Sequence, residues 1–247
     1  MTDTKTISTR SGGLILVNAR HPYAGNLNES NLKAVGGEHS GVFMERRAAA
    51  LLEGLMEEIH GWRYIAPVSG WRSSAGQQKI WNECLRDEGE EFTRKYVALP
   101  GCSEHQTGLA IDLGIRSENI DFIRPQFPTD GVCGEFRRRA ADYGFILRYP
   151  AGKEHITGIA SEPWHFRCVG IPHAAVMTEK NLCLEEYHEY LRQNHPPESP
   201  LEYASGKFLF SVFSTFQIPA DTGERSMVSG DNHGGYIITV WREGESI

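Results

Sequence analysis

The segment Ser103–Asp112, with the sequence SEHQTGLAID, places the imidazole of His105 and the carboxylate of Asp112 seven positions apart. Two helical turns would separate the backbones of these residues by ~11 Å, whereas donor atoms that share one metal ion lie within ~4 Å of each other. A continuous helix would therefore keep them from binding one ion. We predict instead that Gly108 allows a sharp turn, so that a loop carrying His105 folds back beside a strand over Leu109–Leu113.

A second polar segment, EPWHF, spans Glu162–Phe166 and supplies another imidazole, on His165. The proline after Glu162 disfavours helical geometry at that residue. A catalytic zinc site needs three nitrogen or oxygen ligands from the protein and an open position for water. His105, Asp112 and His165 would provide the ligands, and Glu162 would then act as the general base.

Other interpretations of these residues are open. The chain has ten histidines, and His155 and His173 lie near the second segment as rival third ligands. Considered singly, Asp112 could cap a turn and Glu162 could be a solvated loop carboxylate. The combination of the two segments favours the metal site.

Helix and strand patterns alternate around these segments without internal repeats. Strands or extended segments are predicted at Leu14–Val17, Tyr64–Val68, Phe145–Tyr149, Ile156–Ile159 and Trp164–Val169. Helices are predicted at Val42–Ile59, Ser73–Asp87, Glu90–Tyr96, Glu135–Tyr143 and Glu185–Gln193, the second with Ser73 as its N-cap.

The C-terminal part has a different composition. The prolines of Asn194–Pro200 are typical of a linker, and residues 207–218 and 234–243 are rich in aromatic and β-branched side chains. We therefore predict an α+β fold, in which residues 1–194 form a compact domain with a central antiparallel sheet flanked by helices. Residues 195–247 would form a linker and a small β-rich extension.

Composition narrows the class of protein. The chain has 247 residues, of which 40% are hydrophobic and 23% charged, as in ordinary globular proteins. A net charge of -7 argues against a nucleic-acid binder. No apolar run reaches the ~20 residues of a membrane helix, and the first residues do not resemble a signal peptide, so we expect a cytoplasmic protein without a membrane anchor. Five cysteines without a CxxC pair are typical of reduced thiols.

Three strings carry a family resemblance. SGWRS (Ser69–Ser73), SEHQTGLAID and EPWHF, in that order, resemble the D-alanyl-D-alanine carboxypeptidases and dipeptidases of glycopeptide resistance, the VanY, VanX and bifunctional VanXY types. The resemblance runs from about Leu14 to Leu191, and the paired SxHxxGxAxD and ExxH patterns are highly specific together. The expected cytoplasmic location is similar to that of the VanXY type.

The resemblance implies roles for individual residues. His105, Asp112 and His165 match the zinc ligands and Glu162 matches the catalytic carboxylate. Arg72 matches the arginine that faces the scissile carbonyl, while Ser103 and Gln77 match positions that help to hold the substrate. By position alone these three residues would be, respectively, a surface ion-pair partner, a turn residue and an exposed helix residue. Trp164 could equally be core packing or a wall of the substrate cleft.

The resemblance also implies the reaction. The expected activity is zinc-dependent hydrolysis of D-alanyl-D-alanine, removal of the terminal D-alanine from cytoplasmic peptidoglycan precursors, or both, with loss of the vancomycin target. One alternative is a peptidase of the same fold that cuts L-alanyl-D-glutamate bonds, as phage endolysins do. Another is a non-catalytic zinc centre on a protein that binds peptidoglycan peptides, although structural zinc is usually enclosed by four protein ligands.

Overall fold

Helices and strands alternate along the chain, of which the computed structural model describes residues 7–25, 27–37, 39–223 and 225–244. The strands are β1 Leu32–Ala34, β2 Phe43–Glu45, β3 Ile65–Ser69, β4 Ala110–Ile115, β5 Phe145–Leu147, β6 His165–Cys168, β7 Leu201–Ser205, β8 Phe208–Thr215, β9 Ser226–Gly230 and β10 Tyr236–Glu243. The α-helices are α1 Arg46–Glu58, α2 Ser74–Glu88, α3 Glu90–Tyr96, α4 Gly131–Arg139, α5 Glu154–Thr157, α6 Ile171–Glu179 and α7 Leu184–Asn194. The predicted α+β class is confirmed.

Contacts divide the described chain into two units. One is Val17–Cys183, and the other combines the described residues of Met1–Leu16 with those of Leu184–Ile247. The contact boundary thus falls before α7, whereas the sequence analysis placed α7 in the first domain and the division after residue 194. The division into 1–194 and 195–247 stays a prediction about domain organisation.

The first unit is organised around an antiparallel sheet with strand order β3-β4-β6-β5. In this sheet Asp112 on β4 pairs with Ser69 on β3 and with His165 on β6. Directly opposed residues point to the same face of a sheet, with Cβ atoms ~4.5–5.5 Å apart. The strand register therefore brings residues 53 positions apart in sequence side by side.

Side-chain alternation along β4 separates the hydrophobic core from the polar face. Ile111 and Leu113 enter the core, and Asp112 between them points to the opposite face. Helix α1 covers the core face with Ala48, Ala49, Leu52, Leu55 and Met56, all buried and spaced at the helical period. Three aromatic rings, Phe127, Phe136 and Phe166, pack edge to face in the same core.

Several local predictions are confirmed. Helix α3 has the predicted bounds, and the Ser73 hydroxyl accepts a hydrogen bond from the Gly76 amide at 3.1 Å as the N-cap of α2. The helix predicted from Val42 begins only at Arg46, because Phe43–Glu45 pairs with β1 as strand β2.

Other local predictions are wrong. Leu14–Val17 is buried but irregular rather than a strand. The segment predicted to be extended at Ile156–Ile159 instead begins with the last two residues of the short helix α5, whose C-cap is Gly158 with φ 75°. Helix α6 was not predicted, since its buried residues do not form a single stripe.

The second unit contains an antiparallel sheet with strand order β7-β8-β10-β9, against which α7 packs. The aromatic-rich segments 207–218 and 234–243 supply β8 and β10, as the composition indicates. Among the described residues, no helix is both long and apolar enough to cross a membrane.

Candidate active site

The turn that carries His105 is a 3-10 turn over Glu104–Thr107 that ends at Gly108. Gly108 has φ +72°, and a Cβ atom there would lie 2.8 Å from the Leu27 side chain and 3.0 Å from the Glu45 amide nitrogen. Both the backbone conformation and the space therefore require glycine. As predicted, the chain reverses at this glycine, so that His105 Nε2 lies 3.0 Å from Asp112 Oδ2.

His165 reaches the same carboxylate from the neighbouring strand. Its Nδ1 lies 2.8 Å from Asp112 Oδ1, and its ring meets that of His105 edge to face at a centroid distance of 5.0 Å. One donor atom from each of His105, Asp112 and His165 lies within 4.8 Å of the others, and all three residues are buried. This cluster could hold a metal ion. His155, exposed on α5, and His173, buried in α6, do not belong to it.

A hydrogen bond to the backbone orients the His105 ring. Its Nδ1 lies 2.7 Å from the Gly70 carbonyl oxygen, which can only accept, so Nδ1 carries the proton and donates. Nε2 then turns its lone pair toward Asp112. Burial, reinforced by the nearby charge of Arg72, lowers the pKa of His105 to about 4 and keeps the ring neutral at pH 7.

The Asp112 carboxylate and the His165 ring form the charged part of the cluster. Burial by itself would raise the pKa of Asp112, but the positive charge of His165 and its hydrogen bond to the carboxylate hold that pKa well below its usual range. Burial likewise opposes protonation of His165, yet the charge of Asp112 and its hydrogen bond raise the pKa of His165 to about 9. The cluster therefore favours positive charge beside Asp112, as a cation site requires.

Glu162 lies beside this cluster on a tight turn. Its amide donates to the Tyr149 carbonyl at 3.0 Å, and its own carbonyl accepts from the His165 amide at 3.1 Å. The carboxyl group is buried, with Oε2 3.7 Å from His165 Nδ1. Burial raises the pKa of Glu162 to about 8 against the opposing charge of His165. A buried carboxyl group with a pKa near neutrality is suited to proton transfer.

Arg72 follows β3 and lies over the cluster. Its Nη2 donates to Ser69 Oγ at 2.9 Å and lies 3.6 Å from Asp112 Oδ2, while its Nη1 donates to Gln77 Oε1 at 3.2 Å. Gln77 is itself held by a 2.8 Å hydrogen bond to the Ala98 carbonyl oxygen. The guanidinium side chain is only 15% exposed, so Arg72 is not the surface ion-pair partner that its position alone suggests.

One cavity is lined by all the residues predicted for the site: Arg72, Gln77, Ser103, His105, Asp112, Glu162, Trp164 and His165. Gln77 and Ser103 are buried rather than exposed. Trp164 also packs in the hydrophobic core, so it is both core and cavity wall. The fold brings the predicted residues together, and the role of each stays a prediction.

The sequence analysis missed a buried ionic cluster behind His165. Glu104 Oε1 lies 2.8 Å from Arg148 Nε and 3.1 Å from Arg167 Nη1, and the three side chains are fully buried. Burial would raise the pKa of Glu104, but the two guanidinium groups hold it below its usual range. A signal was available, because Arg148 and Arg167 interrupt the otherwise apolar runs FILRY and HFRCV. Buried arginines in such runs need a partner.

The chain is similar to known peptidases. The family model described as "VanY: D-alanyl-D-alanine carboxypeptidase" matches residues 42–171. The bifunctional D-Ala-D-Ala dipeptidase and D-Ala-D-Ala carboxypeptidase VanXYC of Enterococcus gallinarum is 41% identical over 181 residues, which cover 73% of this chain and 95% of that protein.

Solved structures are also similar to this chain, among them the two that follow. The vancomycin resistance D,D-dipeptidase VanXYg, in complex with a D-Ala-D-Ala phosphinate analog, is 42% identical with a TM-score of 0.87 and covers 95% of each chain. A mutant of the vancomycin resistance D,D-pentapeptidase VanY in complex with Zn(II) is 30% identical with a TM-score of 0.59, covering 71% of this chain and 98% of that one. The predicted family resemblance is confirmed: the chain belongs to the VanY family of D-alanyl-D-alanine carboxypeptidases.

Proposed function

We propose that this protein is a zinc-dependent D,D-peptidase that hydrolyses D-alanyl-D-alanine, removes the terminal D-alanine from peptidoglycan precursor peptides, or does both. The observation that carries the proposal is the convergence of His105, Asp112 and His165 around one point, with the buried Glu162 carboxyl group beside them. Relatives named for D-Ala-D-Ala dipeptidase and carboxypeptidase activity support this substrate over L-alanyl-D-glutamate bonds or binding without catalysis.

Zinc is the metal that we propose for the cluster. Two imidazoles and one carboxylate are the donor set of catalytic zinc sites, and a VanY relative forms a Zn(II) complex. Bound there, zinc would lower the pKa of water from 15.7 to ~7 and polarise the substrate carbonyl. A cation in this position would also lower the pKa of Glu162 from about 8 toward the pH of the cell, because opposite charge favours the carboxylate.

Glu162 then acts as general base and general acid. Its carboxylate accepts a proton from water as the water oxygen bonds to the carbon of the scissile amide. The same group returns the proton to the amide nitrogen as the carbon–nitrogen bond breaks and D-alanine leaves. Burial supports this role, because the environment makes both protonation states accessible near neutral pH.

Arg72 stabilises the charge that develops on the carbonyl oxygen. A guanidinium group stays cationic at any relevant pH, and Ser69 and Gln77 fix this one by hydrogen bonds at 2.9 and 3.2 Å. Gln77, predicted to bind substrate, uses both ends of its amide on Arg72 and Ala98 and would act mainly by positioning Arg72. Ser103 and Trp164 would contact the substrate as walls of the cavity.

The activity would belong to the unit Val17–Cys183, which holds every site residue and lies within the predicted peptidase domain 1–194. We place it in the cytoplasm, where peptidoglycan precursors are made. All five cysteines are free thiols, which is typical of a reducing compartment. Removal of D-alanine there would eliminate the target of vancomycin and contribute to resistance.

The test is D-alanine release from the dipeptide and from a pentapeptide precursor by zinc-loaded protein, with and without chelator. We expect release that chelator abolishes and that added zinc restores, whereas a peptide ending in L-alanyl-D-glutamate stays intact. Binding of both D-alanyl substrates without D-alanine release would contradict the proposal.

A further inference from the structure

We propose that Glu104 is a positioning residue for His165: it accepts a hydrogen bond from Nε2 and so directs Nδ1 toward the metal. This inference rests on the proposed function, in which His165 is a metal ligand. Glu104 is not among the site residues predicted from the sequence motifs.

The geometry leaves one oxygen of Glu104 for this purpose. Oε1 is held by Arg148 and Arg167, whereas Oε2 points at His165 Nε2 from 3.7 Å. Both of these facing atoms are fully buried, and neither has a hydrogen-bond partner among the described residues. Leaving a buried donor or acceptor unsatisfied costs ~1–3 kcal/mol. Because N–H···O bonds span ~2.7–3.2 Å, a shift of roughly half an ångström would satisfy both atoms.

The opposite nitrogen of His165 already faces the proposed metal position. Nδ1 lies 2.8 Å from Asp112 and 3.7 Å from Glu162, both on the cavity side of the ring. A neutral imidazole carries its proton on one nitrogen and its lone pair on the other. Negative charge on Glu104 behind Nε2 favours the tautomer with the lone pair on Nδ1. The Gly70 carbonyl oxygen has the equivalent function for His105, although there the donor is Nδ1 and the inner atom is Nε2.

The two arginines explain how a buried carboxylate can serve in this way. An isolated buried carboxyl group becomes protonated, whereas two guanidinium groups at 2.8 and 3.1 Å favour its ionised form. They also fix its direction, since Arg148 directly follows β5 and Arg167 lies on β6, the strand paired with β5. Glu104 itself lies in the same 3-10 turn as His105. One turn would therefore provide the ligand His105 and, from the residue before it, the support of the second ligand, His165.

The first test uses the unaltered protein loaded with ¹¹³Cd, whose coupling to ¹⁵N identifies the nitrogen that binds metal. We expect two coupled imidazoles, one bound through Nε2 and the other through Nδ1 with a slowly exchanging proton on its Nε2. Binding of both rings through Nε2 would overturn the role of Glu104 and leave the metal site intact. Absence of coupling at either ring would overturn the proposed function together with this inference.

The second test replaces Glu104 by glutamine, with the exposed Glu91→Gln on α3 as the matched control. The glutamine side chain has a single oxygen, and when that oxygen faces Arg148 and Arg167 its NH₂ group faces His165 Nε2. This arrangement favours the tautomer with the lone pair on Nε2 and the proton on Nδ1, which cannot then bind the metal. We expect zinc affinity, measured by chelator competition, to fall ~10–100-fold in Glu104→Gln and to stay unchanged in the control. The visible spectrum of the Co²⁺ form should change as well. A lower melting temperature with unaltered affinity and spectrum would mean that Glu104 is merely structural.

Discussion

Replacement of Glu162 by glutamine removes the proposed proton carrier while preserving the size of the side chain. Of the carboxyl groups that line the cavity, Asp112 is bonded to two imidazoles and Glu104 to two arginines, so Glu162 is the described carboxyl group left for proton transfer. A positioned general acid and base contributes ~10²–10⁴-fold to a rate. At 1.36 kcal/mol per tenfold change, the variant should lose about 3–5 kcal/mol of transition-state stabilisation.

The same substitution should leave folding and metal binding almost intact. Glu162 is not one of the three clustered donors, and its carboxyl oxygen Oε2 lies 3.7 Å from His165 Nδ1. Because burial already raises its pKa to about 8, the protein gains little from the ionised form, and a neutral amide fits the same environment. The loss should therefore appear in kcat, with KM and zinc content close to those of the unaltered protein.

The assay is D-alanine release under saturating dipeptide, paired with zinc quantification on the same sample and with Glu91→Gln as the control. Activity of Glu162→Gln within tenfold of the control, at equal zinc content, would refute the reasoning. Loss of zinc together with activity would instead assign Glu162 to the metal site.

Three further outcomes follow from the geometry. Arg72→Lys should lower kcat/KM by ~10–1,000-fold, since an ammonium group cannot keep both guanidinium hydrogen bonds; an unaltered value in steady-state kinetics would contradict its role. Gly108→Ala should lower the free energy of unfolding in urea by more than the ~1 kcal/mol expected for the control Gly152→Ala. Both glycines have positive φ, but only Gly108 lacks space for a Cβ atom, so equal losses in the two variants would contradict the prediction. Zinc binding at pH 7 should release at least one proton, because His165 with a pKa of about 9 must lose one, whereas His105 with a pKa of about 4 is already neutral. Calorimetry in buffers of different ionisation enthalpy measures this release, and binding without proton release would contradict the prediction.

The sequence predicted the convergence of the candidate site residues better than it predicted the flanking elements. The seven-residue spacing of His105 and Asp112 was enough to predict the turn at Gly108, because a helix there would hold the two side chains too far apart to share one ion. The side-by-side placement of Asp112 and His165 depends on the register of β4 against β6, which local sequence patterns do not contain. Local sequence patterns could indicate only that Asp112 and His165 must lie close together if they bind one ion.

The elements that were missed or misassigned depend on tertiary packing. Leu14–Val17 has the apolar run of a strand but is buried without pairing as one, and Glu154–Thr157 is a single helical turn, too short for a periodic pattern. Glu104 was overlooked since its partners, Arg148 and Arg167, lie 44 and 63 positions away. Long-range ionic pairs have no periodic signature in one sequence.

In the proposed site His105, Asp112 and His165 bind one zinc ion beside the carboxyl group of Glu162. Anomalous diffraction at the zinc edge from crystals of the zinc-loaded protein tests it most directly. The account predicts one strong peak ~2.0–2.2 Å from one nitrogen of each histidine and one oxygen of Asp112. A peak at other residues, or zinc held by a fourth protein side chain in place of the open position, would contradict it.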